Sequence, residues 1–288
     1  DDDDNKDNNQ DYPNSPSLRI GFIGCGTIAS AITTGLLTQT TFPQPISNIY
    51  LSKRSETKSS LLAQTFPDRI TVMEDNQDIV NHSDVIFVCV LPTQELSLLT
   101  ALNIPPHKVL VSLVSTSKLE NMMEATKLGP ENVYKMICLP PVAKLQGTCI
   151  MVPPDQTSIH IQALFSTLGG KCIECENEAI MDAMMIPGCL MGPIYGLMRQ
   201  NRDWMIRQGV PAKDASYFVG RQYLSIVQDA ERHCDEEEYF NELIDEQTPG
   251  GLNEQSLKNL EKVGFLNSYD DAMDAILDRL NGKTDGSM

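Results

Sequence analysis

The pattern of apolar and polar positions changes period once along the chain, near residue 176, and the change divides it. Before that point, short apolar runs at 18–23, 48–52, 70–73, 85–91, 109–114, 133–138, 148–152 and 171–175 predict strands. Between most of them apolar residues recur at helical spacing. Ile28, Ile32 and Leu36 predict a helix starting at about Thr27, and another is expected at about 157–168. Strand and helix in alternation predict repeated βα units and a mostly parallel sheet, an α/β domain over 18–176. After residue 176 no strand pattern remains. Helical stretches at 191–208, 212–233, 235–246, 252–263 and 269–280, punctuated by Pro187, Pro211 and Pro249-Gly250-Gly251, predict an all-helical domain over 177–288.

Composition adds two things to this outline. The 288 residues are 41% hydrophobic and 21% charged, enough apolar content to fold, with a formal net charge of −17. That charge is segregated. Residues 1–17 carry net −5 with almost no apolar content and read as a disordered acidic tail; 229–246 carry −8, 247–288 carry −3, and 18–228 only −1. So acidic a chain lacks the broad basic surface of a nucleic-acid binder. The longest unbroken apolar run, 85–91, is too short for a bilayer, and no membrane partner is expected. The chain does not begin with Met, which leaves an upstream segment open, but what is present shows no cleavable signal or transit peptide. A cytoplasmic location is expected, with an organelle left open.

Eight cysteines lie in a long chain without a secretory signal, several of them inside apolar runs where Cys serves as a small hydrophobe. Cys172 and Cys175 form a C-x-x-C spacing within an alternating, strand-like segment, so their side chains point to opposite faces. With no second pair to complete a zinc set, no metal site is predicted. His82, His107, His160 and His233 form no cluster, and Asp235-Glu236-Glu237-Glu238 reads as solvated surface.

Chemistry enters at Gly24-Cys25-Gly26-Thr27-Ile28-Ala29, a G-x-G-x-x-A sequence between a strand and a helix. The first glycine allows the tight turn, the second lets a pyrophosphate approach the backbone, and Ala at the third place keeps helix and strand close. The helix N-terminus adds free N–H groups and a positive dipole end. In this context the motif predicts a Rossmann-type dinucleotide site. At the end of the second strand, where an NAD site would carry an acidic residue, the chain has Ser52-Lys53-Arg54-Ser55, with Lys58 one turn later. Cations and hydroxyls suit a 2′-phosphate, so NADPH is expected over NADH. A solvated basic loop is the plainer alternative.

Two glycine features mark the helical domain. Gly188, Gly192 and Gly196 stand four residues apart in a charge-free stretch from Ala183 to Met198. Small residues there admit another helix or a ligand close to the backbone. Thr248-Pro249-Gly250-Gly251 opens an amphipathic helix and leaves backbone N–H groups for a small carboxylate, or is simply a helix start.

Together these residues resemble the pyrroline-5-carboxylate reductase family. The resemblance runs from Arg19 to about Asn281 and rests on the stretch from Arg19 through Gly24-Cys25-Gly26 to Ile32, on Ser52-Lys53-Arg54-Ser55, on Gly192-Pro193-Ile194-Tyr195, on Thr248-Pro249-Gly250-Gly251 and on the segment 260–265. It implies a Rossmann domain followed by a helical domain through which subunits intertwine as a homodimer or higher homo-oligomer. The implied activity is NAD(P)H-dependent reduction of a cyclic imine C=N bond, pyrroline-5-carboxylate to L-proline, in proline biosynthesis. By position, the resemblance assigns Gly24, Gly26, Thr27, Ile28, Leu91 and Pro92 to the pyrophosphate and nicotinamide side of the cofactor. Ser52, Arg54 and Ser55 fall to the 2′-phosphate, and Tyr195, Gly250, Gly251, Leu252 and Asn253 to the imino-acid substrate. A protonated imine is already electrophilic, so no catalytic acid or base is named. Tyr195 is equally readable as a packed core residue.

The chain departs from the family at four places. Leu91 stands where the family has Lys before Pro-Gln, and Pro141 where it has Asn after Met-Pro. Leu190-Met191 replaces Gly-Ser, and Asn253 replaces Thr. Most of these lie where the ring or the nicotinamide would sit, whereas the dinucleotide turn is intact. Two readings stay open at this point: a reductase of pyrroline-5-carboxylate or a close analogue, and a catalytically silent NADP-binding dimer with a regulatory or structural role.

Overall fold

The structure, a computed structural model, describes residues 17–39 and 45–284, so the expected acidic tail lies outside the described residues except for Ser17. The chain divides into two compact units at Asp182/Ala183. The first is built on an eight-stranded sheet: β1 Leu18–Ile23, β2 Ile46–Ser52, β3 Ile70–Met73, β4 Val85–Val88, β5 Val109–Ser112, β6 Val133–Cys138, β7 Cys149–Val152 and β8 Cys172–Glu174. Its order is β3-β2-β1-β4-β5-β6-β7-β8. Every neighbouring pair is parallel except β6 with β7. The run β3-β2-β1-β4-β5-β6 is the strand order of a Rossmann-type sheet, with the reversal between β1 and β4 that opens a crevice at the strands' carboxyl ends.

Both faces of this sheet are covered, which is why β4, β5 and β7 are apolar or buried at every position rather than alternating. Helix α1 (Thr27–Thr38) and α2 (Glu56–Thr65) follow β1 and β2. On the α1 side, Phe22, Phe87 and Val111 meet Ile32 and Leu36, and the Phe22 and Phe87 rings stack at 5.0 Å. The opposite face packs Ile23, Ile86, Val88 and Leu110 against α3 (Asn76–His82), α4 (Pro92–Ala101) and α5 (Leu119–Thr126) through Ile79, Leu99 and Met122. Lys108 closes α3 by donating to the carbonyls of Val80 (2.5 Å), Asn81 (3.0 Å) and Ser83 (2.7 Å), a cation placed at the negative end of the helix. Helix α6 (Ile161–Ser166) precedes β8.

Further along the chain come α7 (Glu178–Met185), α8 (Met191–Arg207), α9 (Ala212–Glu231), α10 (Tyr239–Asp245), α11 (Leu252–Lys262) and α12 (Phe265–Leu280). Several expected boundaries move. The fourth strand ends at Val88, because the chain leaves the sheet to start α4 with Pro92 in its first turn. The stretch expected at 235–246 is helical only over Tyr239–Asp245; four successive acids repel one another in the turn before it. The last helix begins at Phe265 rather than 269, directly after Gly264 in a left-handed conformation. Helix α7 falls in a stretch where no separate helix is expected from the sequence.

The helical unit keeps little of its apolar surface dry. Among the described residues it buries only Ile186, Leu190, Ala215 and Val219, while Met191, Ile194, Trp204, Phe218, Ile226 and Val227 are exposed. Glu178–Arg207 is also long and apolar enough to cross a membrane by length and composition, with an 18-residue window of mean hydropathy 1.3. Helices that pack on protein pass the same test, and this one carries Asp182, whose carboxylate is ion-paired, together with Pro187 and Pro193.

A layer of buried charge crosses the first unit. Lys135 on β6 is 1% exposed, and its ammonium lies 3.6 Å from Asp182 Oδ1 and 3.9 Å from Glu178 Oε1, beyond hydrogen-bond reach. Lys118 approaches the other Asp182 oxygen at 3.6 Å. Beside Lys135 in register, Ser112 donates to the buried Glu95, which also accepts from Ser117. Removing one member of such a pair costs more than replacing both members by apolar groups of similar volume. The double variant Lys135→Met/Asp182→Leu should therefore leave stability within about 1 kcal/mol of the parent, whereas Asp182→Ala, which takes from the Lys135 ammonium its nearer carboxylate, should cost about 3 kcal/mol. Urea denaturation of the two variants checks the order.

Candidate functional site

The dinucleotide turn is held by sterics and one buried hydrogen bond. Gly24 adopts φ +93°, and a Cβ there would lie 2.4 Å from the Cys89 carbonyl oxygen, so no side chain fits. Its N–H donates to Ser52 Oγ at 2.8 Å, joining the ends of β1 and β2. Gly26 caps α1 with no side-chain bond to the helix, and no acid lies in the first turn. A Cβ at Gly26 would meet nothing within 4 Å, so the space over this N-terminus is open to a ligand. Thr27 is exposed and Ile28 half-buried. The first-turn N–H groups have no intrahelical acceptor, an arrangement suited to a pyrophosphate.

A cleft of about 410 Å³ lies beside this turn at the carboxyl ends of β1 and β2. Gly24, Ser52, Lys53 and Arg54 line it, and so do Glu74 and Gln94, which the sequence did not single out as site residues. The register Ser52↔Met73 is the signal that could have found Glu74, since it places the residue after β3 level with the basic turn. Lys53 and Arg54 are both exposed, and Glu74 Oε1 accepts from Lys53 Nζ at 2.6 Å. Ser52 sits differently from its expected place. It is buried, and its hydroxyl oxygen serves Gly24, so it supports the turn from below. Ser55 ends the 3₁₀ turn Lys53–Ser55, and its side chain lies outside what is described. Lys58 reaches the α1 terminus and donates to Thr27 Oγ1 at 2.8 Å. Leu91, 64% exposed, caps α4 ahead of Pro92, so both stand at a sheet end rather than inside a strand.

None of the buried thiols near the turn is poised to react. Burial raises the Cys25 and Cys89 thiols, and a hydrogen bond with Cys149 followed by burial raises Cys138. Among the described residues no group of three or more His, Cys, Asp or Glu could hold a metal ion.

The candidate substrate residues belong to the second unit. Tyr195 is 61% exposed on α8, not a packed core residue within the chain. A Cβ at Gly188, Gly192 or Gly196 would meet nothing within 4 Å, so the space these glycines leave is not filled by the chain itself. At the start of α11 the backbone donors are partly spoken for. Gly250 (φ +72°) donates to Glu254 Oε2 at 2.6 Å, and Gly251 donates to the Thr248 carbonyl at 2.8 Å. Asn253 Nδ2 donates to Gln247 Oε1 at 2.6 Å, and Leu252 is 83% exposed. The Lys258 ammonium, and after it the Gly250 N–H, hold the Glu254 carboxyl below its ordinary value. A cavity of about 450 Å³ lies between α10 and α11 here.

Comparison with known proteins follows the same division. A family model described as NADP oxidoreductase coenzyme F420-dependent matches residues 19–116, the first third of the chain. Pyrroline-5-carboxylate reductase 3 of Danio rerio is 24% identical over 95% of this chain and 94% of its own length. Pyrroline-5-carboxylate reductase of Glycine max is 26% identical over 91% and 95%. Among solved structures, 1-pyrroline-5-carboxylate reductase from Streptococcus pyogenes superposes with a TM-score of 0.74 at 20% identity, covering 93% of this chain and all of that one. The Plasmodium falciparum pyrroline carboxylate reductase, solved with NADP bound, gives 0.72 at 21% identity, covering 92% and 97%. From Rossmann-type sheet to terminal helices, then, the chain is similar to the pyrroline-5-carboxylate reductases.

Proposed function

We propose that this chain is an NAD(P)H-dependent reductase of C=N bonds that acts on a small cyclic imine, pyrroline-5-carboxylate or a close analogue, with NADPH as the preferred reductant. The observation that carries the reading is the Gly24 turn with its open helix terminus at the switch point of the sheet, in a chain that resembles such reductases end to end. Bound there, the dinucleotide supplies a hydride. The chain's residues then do the rest. Gly26, Thr27 and Ile28 offer backbone N–H groups to the pyrophosphate, Arg54 offers its guanidinium to the 2′-phosphate, and Leu91 and Pro92 flank the nicotinamide end. Tyr195 and the α11 start, Gly250 to Asn253, orient the imine. Because an iminium carbon is electrophilic already, orientation and exclusion of water suffice, and no side chain is assigned as acid or base.

This reading includes a homodimer or a larger homo-oligomer. The exposed apolar residues of α8 and α9, and the unfilled space beside Gly188, Gly192 and Gly196, suit burial against a second copy of the helical unit. It also places the chain in the cytoplasm, where the buried thiols of Cys25, Cys138, Cys149 and Cys172 stay reduced. A second reading, an NADP-binding dimer without catalysis, is favoured by one observation: two of the N–H groups assigned to the substrate already have acceptors within the chain.

NADPH consumption should occur with at least one of a panel of small cyclic imines; tight NADPH binding with no turnover on any of them selects the silent reading. Arg54→Ala should weaken NADPH binding about tenfold, roughly 1.4 kcal/mol, and leave NADH binding unchanged by calorimetry. Equal losses for both cofactors would remove Arg54 from the 2′-phosphate. Sedimentation velocity should give a dimer or larger species, and Ile226→Asp on α9 should shift it to monomer at micromolar concentration.

A further inference from the structure

The cleft beside the Gly24 turn is lined by two cations and two acids. Its charged side chains are Lys53, Arg54, Glu56 and Glu74, so the basic turn is offset within the cleft itself. The two acids are not equivalent. Parallel pairing sets Ser52 level with Met73, which brings the residue after β2 beside the residue after β3. There Glu74 Oε1 accepts from Lys53 Nζ at 2.6 Å, and this bond holds the Lys53 ammonium above its ordinary value. Glu56, in the first turn of α2, makes no ion pair with either cation among the described residues, and Arg54 has no ion-pair partner among them. A 2′-phosphate carries about −1.5 to −2 charge at neutral pH. NADH has a neutral hydroxyl in its place, so a carboxylate in this cleft bears on one cofactor and spares the other.

We propose that Glu74 is a specificity-determining residue of the dinucleotide cleft: by engaging Lys53 and opposing a further negative charge, it limits the preference for NADPH to what Arg54 supplies. This rests on the placement of the 2′-phosphate at the basic turn and goes beyond it, since it names the residue that works against that phosphate. Glu74 acts through Lys53 and through its own charge, and is not a catalytic residue. Without its carboxylate the Lys53 ammonium is released toward the cleft, where it offers a second charge-assisted hydrogen bond to the phosphate beside that of Arg54. The ion pair itself is exposed on both sides, and a pair of this kind contributes little to stability, so its removal leaves the fold intact.

The test is calorimetric titration of NADPH and of NADH into the parent chain and its variants, with no imine present. E74Q and E74A should each tighten NADPH binding about fivefold and change NADH binding by less than about twofold. E56Q removes an acid that is not bonded to Lys53, and should tighten NADPH by less than about twofold. Lys53→Ala should cost at least about threefold more NADPH affinity in the E74Q background than in the parent, because only there does the ammonium face the phosphate. Weaker NADPH binding in E74Q would mean that Glu74 aims Lys53 at the phosphate, and overturns the proposal. An equal gain from E56Q, or a cost of Lys53→Ala that is the same in both backgrounds, overturns it too. Arg54→Ala separates these results from the reading beneath them. A loss confined to NADPH places the phosphate at this turn and leaves the Glu74 variants to decide. Equal losses for both cofactors, or a parent that binds neither, overturn the cofactor placement and the role of Glu74 with it.

Discussion

The architecture of the first unit turns on how closely the chain passes itself at Gly24. Three strand ends converge there. Gly24 follows β1, its N–H is taken by Ser52 at the end of β2, and the backbone at Cys89, just past β4, leaves no room for a Cβ. Cys89 in turn donates to the Ile23 carbonyl at 2.8 Å, which ties β4 back to β1 on the other side. This convergence holds the carboxyl ends of β2, β1 and β4 level, and their level ends form the cleft. It also fixes where α1 begins, and so where its unpaired N–H groups point. A substitution at Gly24 would displace backbone rather than a mobile side chain, and the cleft would open with it.

The second unit obeys a different constraint. Its helices are amphipathic, yet the chain provides little for their apolar faces to cover, and Trp204, Phe218 and Val227 stay in water. Burial of that surface, at about 25 cal/mol per Å², is the driving force still unspent in the isolated chain. Such helices owe most of their stability to tertiary burial rather than to intrinsic propensity. The acidic segment before and within α10 is consistent with this division, since charge repels where apolar faces attract and so limits which surfaces of two copies can meet.

Much of this was legible in the sequence because the signals were periodic. Apolar runs of strand length, separated by helical spacing, marked each strand from β1 to β8, since the strands of a sheet covered on both faces are mostly apolar. The glycine turn was legible because only glycine satisfies Gly24's contacts. What escaped was set by side-chain partners that no periodicity encodes. Ser52 reads as a surface hydroxyl beside two cations, yet its burial follows from a bond to an N–H twenty-eight residues away. The acids at 235–238 sit in a helical register but repel one another out of it. Glu254 reads as an ordinary first-turn acid, and only coordinates show that Gly250 turns its N–H toward it.

Different kinds of constraint hold the Gly24 turn and the α11 start. At the cofactor end the geometry is enforced by hard-sphere contact: a methyl at Gly24 meets the Cys89 carbonyl oxygen at 2.4 Å, and no neighbouring side chain is able to relieve that. At the α11 end it is enforced only by the need to pair N–H groups, and acceptors within the chain, Glu254 for Gly250 and the Thr248 carbonyl for Gly251, meet that need. Steric demands admit one residue, whereas hydrogen-bond demands admit any acceptor within reach. A chain can thus keep its glycine turn unchanged while residues at the α11 start pair with neighbours of their own, Asn253 with Gln247 and Glu254 with Gly250.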